Sequence, residues 1–260
     1  MPLSVRLTSS VSAAPHADKV PLADKIDAVR QRLIVALDVP SAAASDELVK
    51  RLEGTCQWFK VGLELFTAAG PAAIEPLIAR GHPVFLDLKF HDIPNTVAGA
   101  VRSATTLGVR MVTVHSAGGP AMLAAAREAL DVVANPPELL AVTVLTSMDA
   151  AALKAAGVER SPADQVELLA NMCLAAGIRG FVCSPQEVAA LRDLTGPEGI
   201  LVVPGIRPAR ADIGDQKRIA TPADAIRNGA SYLVVGRPIT QAPNPAEAAQ
   251  AVLKEMAGAL

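Results

Sequence analysis

Residues 84–97 read VFLDLKFHDIPNTV, an apolar run that ends abruptly in two aspartates, two basic side chains and a proline. Side chains alternate across a strand, so Asp87 and Lys89 share one face while Leu86 and Leu88 share the other. The run that leads into these charges is apolar on both faces, the mark of a strand covered from both sides. Seven further runs have the same β-branched character: RLIVALDV (32–39), WFKVGL (58–63), MVTVHSA (111–117), LLAVTVLTS (139–147), GFVCS (180–184), LVVPGI (201–206) and YLVVG (232–236). Between them lie Ala- and Leu-rich segments of helical length, such as AMLAAAREALDVVA and ADQVELLANMCLAAG, several opened by Ser or Pro and closed by Gly. Eight strand–helix units, spaced by roughly 20 to 35 residues, predict an α/β fold, a single closed parallel (β/α)8 TIM barrel. An open doubly wound sheet would call for a glycine-rich G-x-G-x-x-G turn after its first strand, and ALDVPSAAASDE (36–47) has none. No composition shift divides the chain, so residues 31–260 are expected to form one catalytic barrel and residues 1–30 a loose N-terminal extension.

Composition narrows the chemistry. Of 260 residues 51% are hydrophobic and only 3% aromatic, so the core must be built from Ala, Val, Leu and Ile, as suits helices on a parallel sheet. A formal net charge of -2, with no local Lys/Arg cluster, argues against nucleic acid as a partner. No uninterrupted apolar run approaches the roughly 20 residues that cross a bilayer. The N-terminus also lacks the apolar core of a secretory signal. Cys56, Cys173 and Cys183 are far apart and form no C-x-x-C pair, so buried reduced thiols in a cytoplasmic protein are expected.

In such a barrel the loops at the C-terminal ends of the strands carry the active site. Five strand ends bear polar residues there: Asp38, Lys60, Asp87 with Lys89, Thr146, and Gly236 with Arg237. A buried Asp87–Lys89 ion pair serving only to fill the barrel is unattractive, because desolvating two charges costs several kcal/mol each and apolar residues of similar volume do as well. With Lys60 and Asp92 added, two lysines and two aspartates balance in charge and can enclose a charged ligand. Gly236 lets a phosphate approach the backbone, Arg237 offers it a two-pronged partner, and Arg207 closes the preceding strand; loops after the seventh and eighth strands are the usual phosphate site.

The ordered set LIVALDV, FKVGLELF, LDLKFHDIPNTV, AVTVLTSM, PGIRP, DQKRIATP and YLVVGRPIT, from about residue 32 to the C-terminal helix, resembles the orotidine 5'-phosphate decarboxylase family. The resemblance implies a homodimer whose active sites are shared across the interface, and no metal or cofactor. It implies a catalytic tetrad of Lys60, Asp87, Lys89 and Asp92, with Lys89 as proton donor and Asp92 reaching into the neighbouring subunit. It further implies that Asp38 and Lys60 contact the ribose and Thr96 reaches across the dimer. Thr146 lies near the base by alignment, although Ser147 is its chemical equal, and Arg207, Gln216, Gly236 and Arg237 hold the phosphate.

Three rivals are open at this point. A magnesium-dependent 3-keto-gulonate-phosphate decarboxylase or hexulose-phosphate synthase shares D-x-K-x-x-D and would use carboxylates such as Glu64 and Asp87, but not the HDIPNT, PGIRP and VGRPIT segments. Schiff-base aldol chemistry wants a lysine of depressed pKa, which two flanking aspartates oppose. A non-catalytic phosphate-binding barrel would need the arginines and glycines but not the tetrad. His91 and His115 lack the spacing of a metal pair and are expected to bond nearby backbone.

Overall fold

All eight β-branched runs become strands in the computed structural model, which describes residues 20–208 and 218–260. They are β1 (Leu33–Ala36), β2 (Trp58–Gly62), β3 (Val84–Phe90), β4 (Met111–His115), β5 (Glu138–Val142), β6 (Gly180–Val182), β7 (Ile200–Val203) and β8 (Tyr232–Val235). Each pairs in parallel with the next, and β8 returns to β1 to close the barrel. The fold is a (β/α)8 TIM barrel.

Alternation along the strands sorts their residues into two cores. Ile34 and Ala36, Trp58, Phe85, Met111, Leu140 and Val142, Val182, Val202 and Val234 point inward and pack with one another. Their neighbours Leu33, Val35, Phe59, Val61, Val84, Leu86 and Val112 face the helices. Phe59, Phe85 and Phe181 are among the largest fully buried side chains, each contributing about 2 to 3 kcal/mol of hydrophobic stabilisation. The few rings of this sequence are thus placed where area counts most. Trp58 and Tyr232, with ring centroids 5.4 Å apart, close the end of the barrel at which the strands begin.

Helix starts follow the side chains available to accept the first free backbone N–H groups. Ser41, Ser161, Thr221 and Asn244 each accept such a bond, the last three directly before a proline whose fixed φ suits the first helical turn. Gly196 ends the helix Val188–Thr195 at φ 67, a left-handed conformation that glycine adopts without penalty.

One expectation is corrected. Within the stretch expected to be loose, Leu22–Arg30 is a helix that lies against the C-terminal helix Pro245–Ala257. Ile26 and Val29 turn into the core, and Val29 is fully buried. A nine-residue helix, about two and a half turns inside a polar stretch, is too short a signal to read without the partner helix. No helix among the described residues is long and apolar enough to cross a membrane.

Candidate active site

Inward parity places the charges at the mouth. On β1 the series Ile34, Ala36 continues to Asp38; on β2 Trp58 leads to Lys60; on β3 Phe85 leads to Asp87. Lys60 Nζ lies 3.0 Å from Asp38 Oδ1 and 3.7 Å from Asp87 Oδ2. Lys89 Nζ donates to both oxygens of Asp87 at 2.8 Å. The result is a chain of alternating charge, Asp38–Lys60–Asp87–Lys89, running across three adjacent strands.

Burial alone would raise the Asp87 carboxyl. The ammonium groups of Lys60 and Lys89, with hydrogen bonds from Lys89 and Thr113, outweigh it and hold the carboxyl below its ordinary value. Asp87 is therefore a carboxylate at neutral pH, only 7% exposed, with two cations beside it. Lys89 has φ 51, the single non-glycine residue of positive φ among the described residues. It sits where β3 slips against β4: Leu86 pairs with Val112 but Phe90 with Val114, so three residues face Thr113 alone. Two extra residues, an even number, leave the inward and outward faces unchanged, which is why Lys89 still faces the same side as Asp87.

The cavity above these groups has a volume of about 590 Å3. Asp38, Lys60, Asp87, Lys89, Thr146, Ser147, Arg207, Gly236 and Arg237 all line it. A β-carbon at Gly236 would meet Ala36 Cβ at 3.6 Å and Asp38 Oδ2 at 3.7 Å, ordinary contacts, so the protein's own packing does not demand glycine there. A β-carbon at Gly62, by contrast, would lie 2.6 Å from Lys60 Nζ and 3.3 Å from Asp38 Oδ1. Gly62 thus makes the room in which Lys60 reaches Asp38. The signal was present in the sequence, a glycine two places after a strand-end lysine and on its face, but only the closed barrel shows what the space is for.

Other expected site residues fall elsewhere. Asp92 and Thr96 are exposed and do not line the cavity of their own chain; Asp92 instead accepts the Ile93 N–H. Gln216 lies outside the described residues. His91 and His115 stack at 5.2 Å, and His115 Nδ1 accepts the Ala117 N–H. Burial, then His91 and Lys89, lower the pKa of His115. All three cysteines are buried free thiols; burial pushes Cys56 up to about 12 and Cys173 to about 11. Among the described residues no group of three or more His, Cys, Asp or Glu side chains is arranged to hold a metal ion.

One buried ion pair flanks the cavity without lining it. Arg218 bonds Glu187, and its other terminal nitrogen donates at 3.0 Å to the carbonyls of Val144 and of Leu145, directly before Thr146. A larger recess of about 1050 Å3 opens at the opposite end of the barrel. Three of its arginines, Arg32, Arg179 and Arg192, donate to backbone carbonyls, whereas the smaller cavity holds the lysines and aspartates that pair with one another. We place the chemistry in the smaller one.

Comparison with known proteins points to one family. The model of the orotidine 5'-phosphate decarboxylase / HUMPS family matches residues 31–252. An orotidine 5'-phosphate decarboxylase of Moorella thermoacetica is 54% identical over 233 residues, covering 87% of this chain and 92% of that protein. The Halorhodospira halophila enzyme of the same name is 53% identical, covering 88% and 97%. The crystal structure of orotidine 5'-phosphate decarboxylase from Lactobacillus acidophilus superposes with a TM-score of 0.75 at 38% identity, over 86% of this chain and 98% of that one. With the family model matched over residues 31–252 and relatives more than half identical over most of their length, the chain belongs to the orotidine 5'-phosphate decarboxylase / HUMPS family.

Proposed function

We propose that this protein is a carboxy-lyase that converts orotidine 5'-monophosphate to UMP and carbon dioxide in pyrimidine synthesis. The observation that carries the reading is the alternating chain Asp38–Lys60–Asp87–Lys89 at one wall of a cavity whose other wall bears Arg207, Gly236 and Arg237. Arginines on the loops after β7 and β8 suit the phosphate, and the space a β-carbon would fill at Gly236 admits a phosphate oxygen to the backbone. Gln216 joins them by resemblance. Asp38 and Lys60 take the ribose hydroxyls, and Thr146 takes the base.

The chemistry then follows from charge. The C–C bond to the C6 carboxylate breaks, carbon dioxide leaves, and the electron pair stays on C6 with no adjacent carbonyl to accept it as a simple enolate. The Lys89 ammonium, already fixed on Asp87, stabilises that pair and gives it a proton; the lysine is reprotonated from solvent. Preorganised charge of this kind is often the largest catalytic contribution. Asp87 orients the ammonium and meets the substrate carboxylate with like charge. The reading is metal-free: Lys60 and Lys89 both pair with Asp87, one of the carboxylates a magnesium ion would use. Asp92 and Thr96 serve a partner's site in a homodimer, a role suited to their exposure and to the exposed Ile93 (67%) between them. Three buried free thiols suit a reducing cytoplasm.

Pure protein mixed with orotidine 5'-monophosphate and a chelator tests this, read as loss of the orotate absorbance. Undiminished turnover is expected. A strict magnesium requirement, with turnover of a sugar phosphate instead, would transfer the protein to the metal-dependent branch.

A further inference from the structure

Thr113 lies on the inward face of β4, between Met111 and His115, and is fully buried. Its hydroxyl makes two bonds. It accepts the backbone N–H of Lys89 at 2.8 Å and donates to Asp87 Oδ1 at 3.1 Å. Both bonds fall at the slip in register, where Asp87, Leu88 and Lys89 face Thr113 alone. The regular ladder is interrupted there, and the Lys89 N–H takes a side-chain acceptor on β4 in place of a carbonyl. The left-handed backbone of Lys89, at φ 51, is one that a lysine keeps only where its surroundings hold it. One hydroxyl thus grips the main chain of the proton donor and the side chain of its partner at once.

We propose that Thr113 is a positioning residue for the reaction: it locks the β3 insertion so that the Lys89 ammonium is delivered onto Asp87 at the angle the chemistry uses. Thr113 does not line the cavity and acts through the two residues it bonds. The inference rests on the reading of Lys89 as proton donor. A hydroxyl suits the place because a single oxygen atom both accepts from the Lys89 N–H and donates to Asp87. Valine keeps the shape and strands the Lys89 N–H; serine keeps both bonds.

Thr113→Val, Thr113→Ser and Lys89→Ala, each in the full chain, separate the possibilities through kcat, KM and melting temperature. Thr113→Val is expected to fold and to lose roughly ten- to a hundredfold in kcat, as for a hydrogen bond to a charged group. KM should change by less than about threefold, since substrate binding is untouched. Thr113→Ser should regain most of kcat. Wild-type kcat in folded Thr113→Val, with Lys89→Ala inactive, overturns the inference and leaves the role of Lys89 standing. A serine variant as impaired as the valine variant also overturns it, because the hydroxyl would not be the active feature. Where valine prevents folding, Thr113→Ala is read by the same criteria. Turnover by Lys89→Ala would overturn the reading beneath.

Discussion

Asp87 is the residue on which the site's charge balance turns. A buried carboxylate is costly alone, and here two ammonium groups and a threonine hydroxyl make it the favoured form. Its folded pKa is lowered, so its contribution to stability is complete above the unfolded value near 3.8 and disappears as pH falls through the lower folded value. Asp87→Asn should therefore be less stable than the wild type at pH 7, with Lys89 deprived of its carboxylate and Lys60 left with Asp38 alone. That difference should shrink steadily as urea titrations are repeated from about pH 4 downward. A gap that widens with acid would mean that Asp87 is not held ionised by its neighbours. Much of this residue-scale arrangement was legible in the sequence, because the grouping of Lys60, Asp87 and Lys89 needs only alternation and adjacent strands. Asp38 as the fourth charge of the chain was not. It was expected at the ribose, and its bond to Lys60 depends on the missing side chain at Gly62.

Strands and helices bring distant segments into this arrangement, and the clearest instance is Arg218. Its guanidinium joins Glu187, before the helix Val188–Thr195, to the carbonyls that precede Thr146 after β5. Burial raises the pKa of Glu187, and Arg218 offsets this in part. Arg218→Met should cost about 3 to 5 kcal/mol in denaturant unfolding, because it leaves a carboxylate buried without its counter-charge. The double variant Arg218→Met, Glu187→Gln should recover part of that loss. Equal stability of single variant and wild type would show the pair to be inert. Nothing in DQKRIATP announces this contact, whose partners are 31 and more than 70 residues away. The eight strands were legible for the opposite reason: a strand covered on both faces carries its own label in consecutive Val, Ile and Leu. The insertion in β3 was hidden, since an even slip preserves the period-two pattern from which the strand is read.

At the scale of the whole molecule, one chain supplies a cavity with three charged strands and a wall bearing Arg207 and Arg237, while Asp92 and Thr96 are exposed and do not line it. Pro94, at the first position of the helix Pro94–Thr106, fixes the turn that carries them outward. A site completed in trans predicts complementation. Inactive Asp92→Ala and inactive Lys60→Ala subunits, mixed and allowed to exchange, should regain about a quarter of wild-type activity, because half the dimers then hold one intact site. Confirmed exchange with no recovery would confine the site to one subunit. Central to the proposed reaction is the transfer of the Lys89 proton to the pyrimidine carbon, and turnover of orotidine 5'-monophosphate by folded Lys89→Ala measures that directly. A loss of roughly a thousandfold or more in kcat is predicted, as for removal of a preorganised charge from the reacting centre. Turnover within a few fold of wild type, in a protein of unchanged melting temperature, would contradict it.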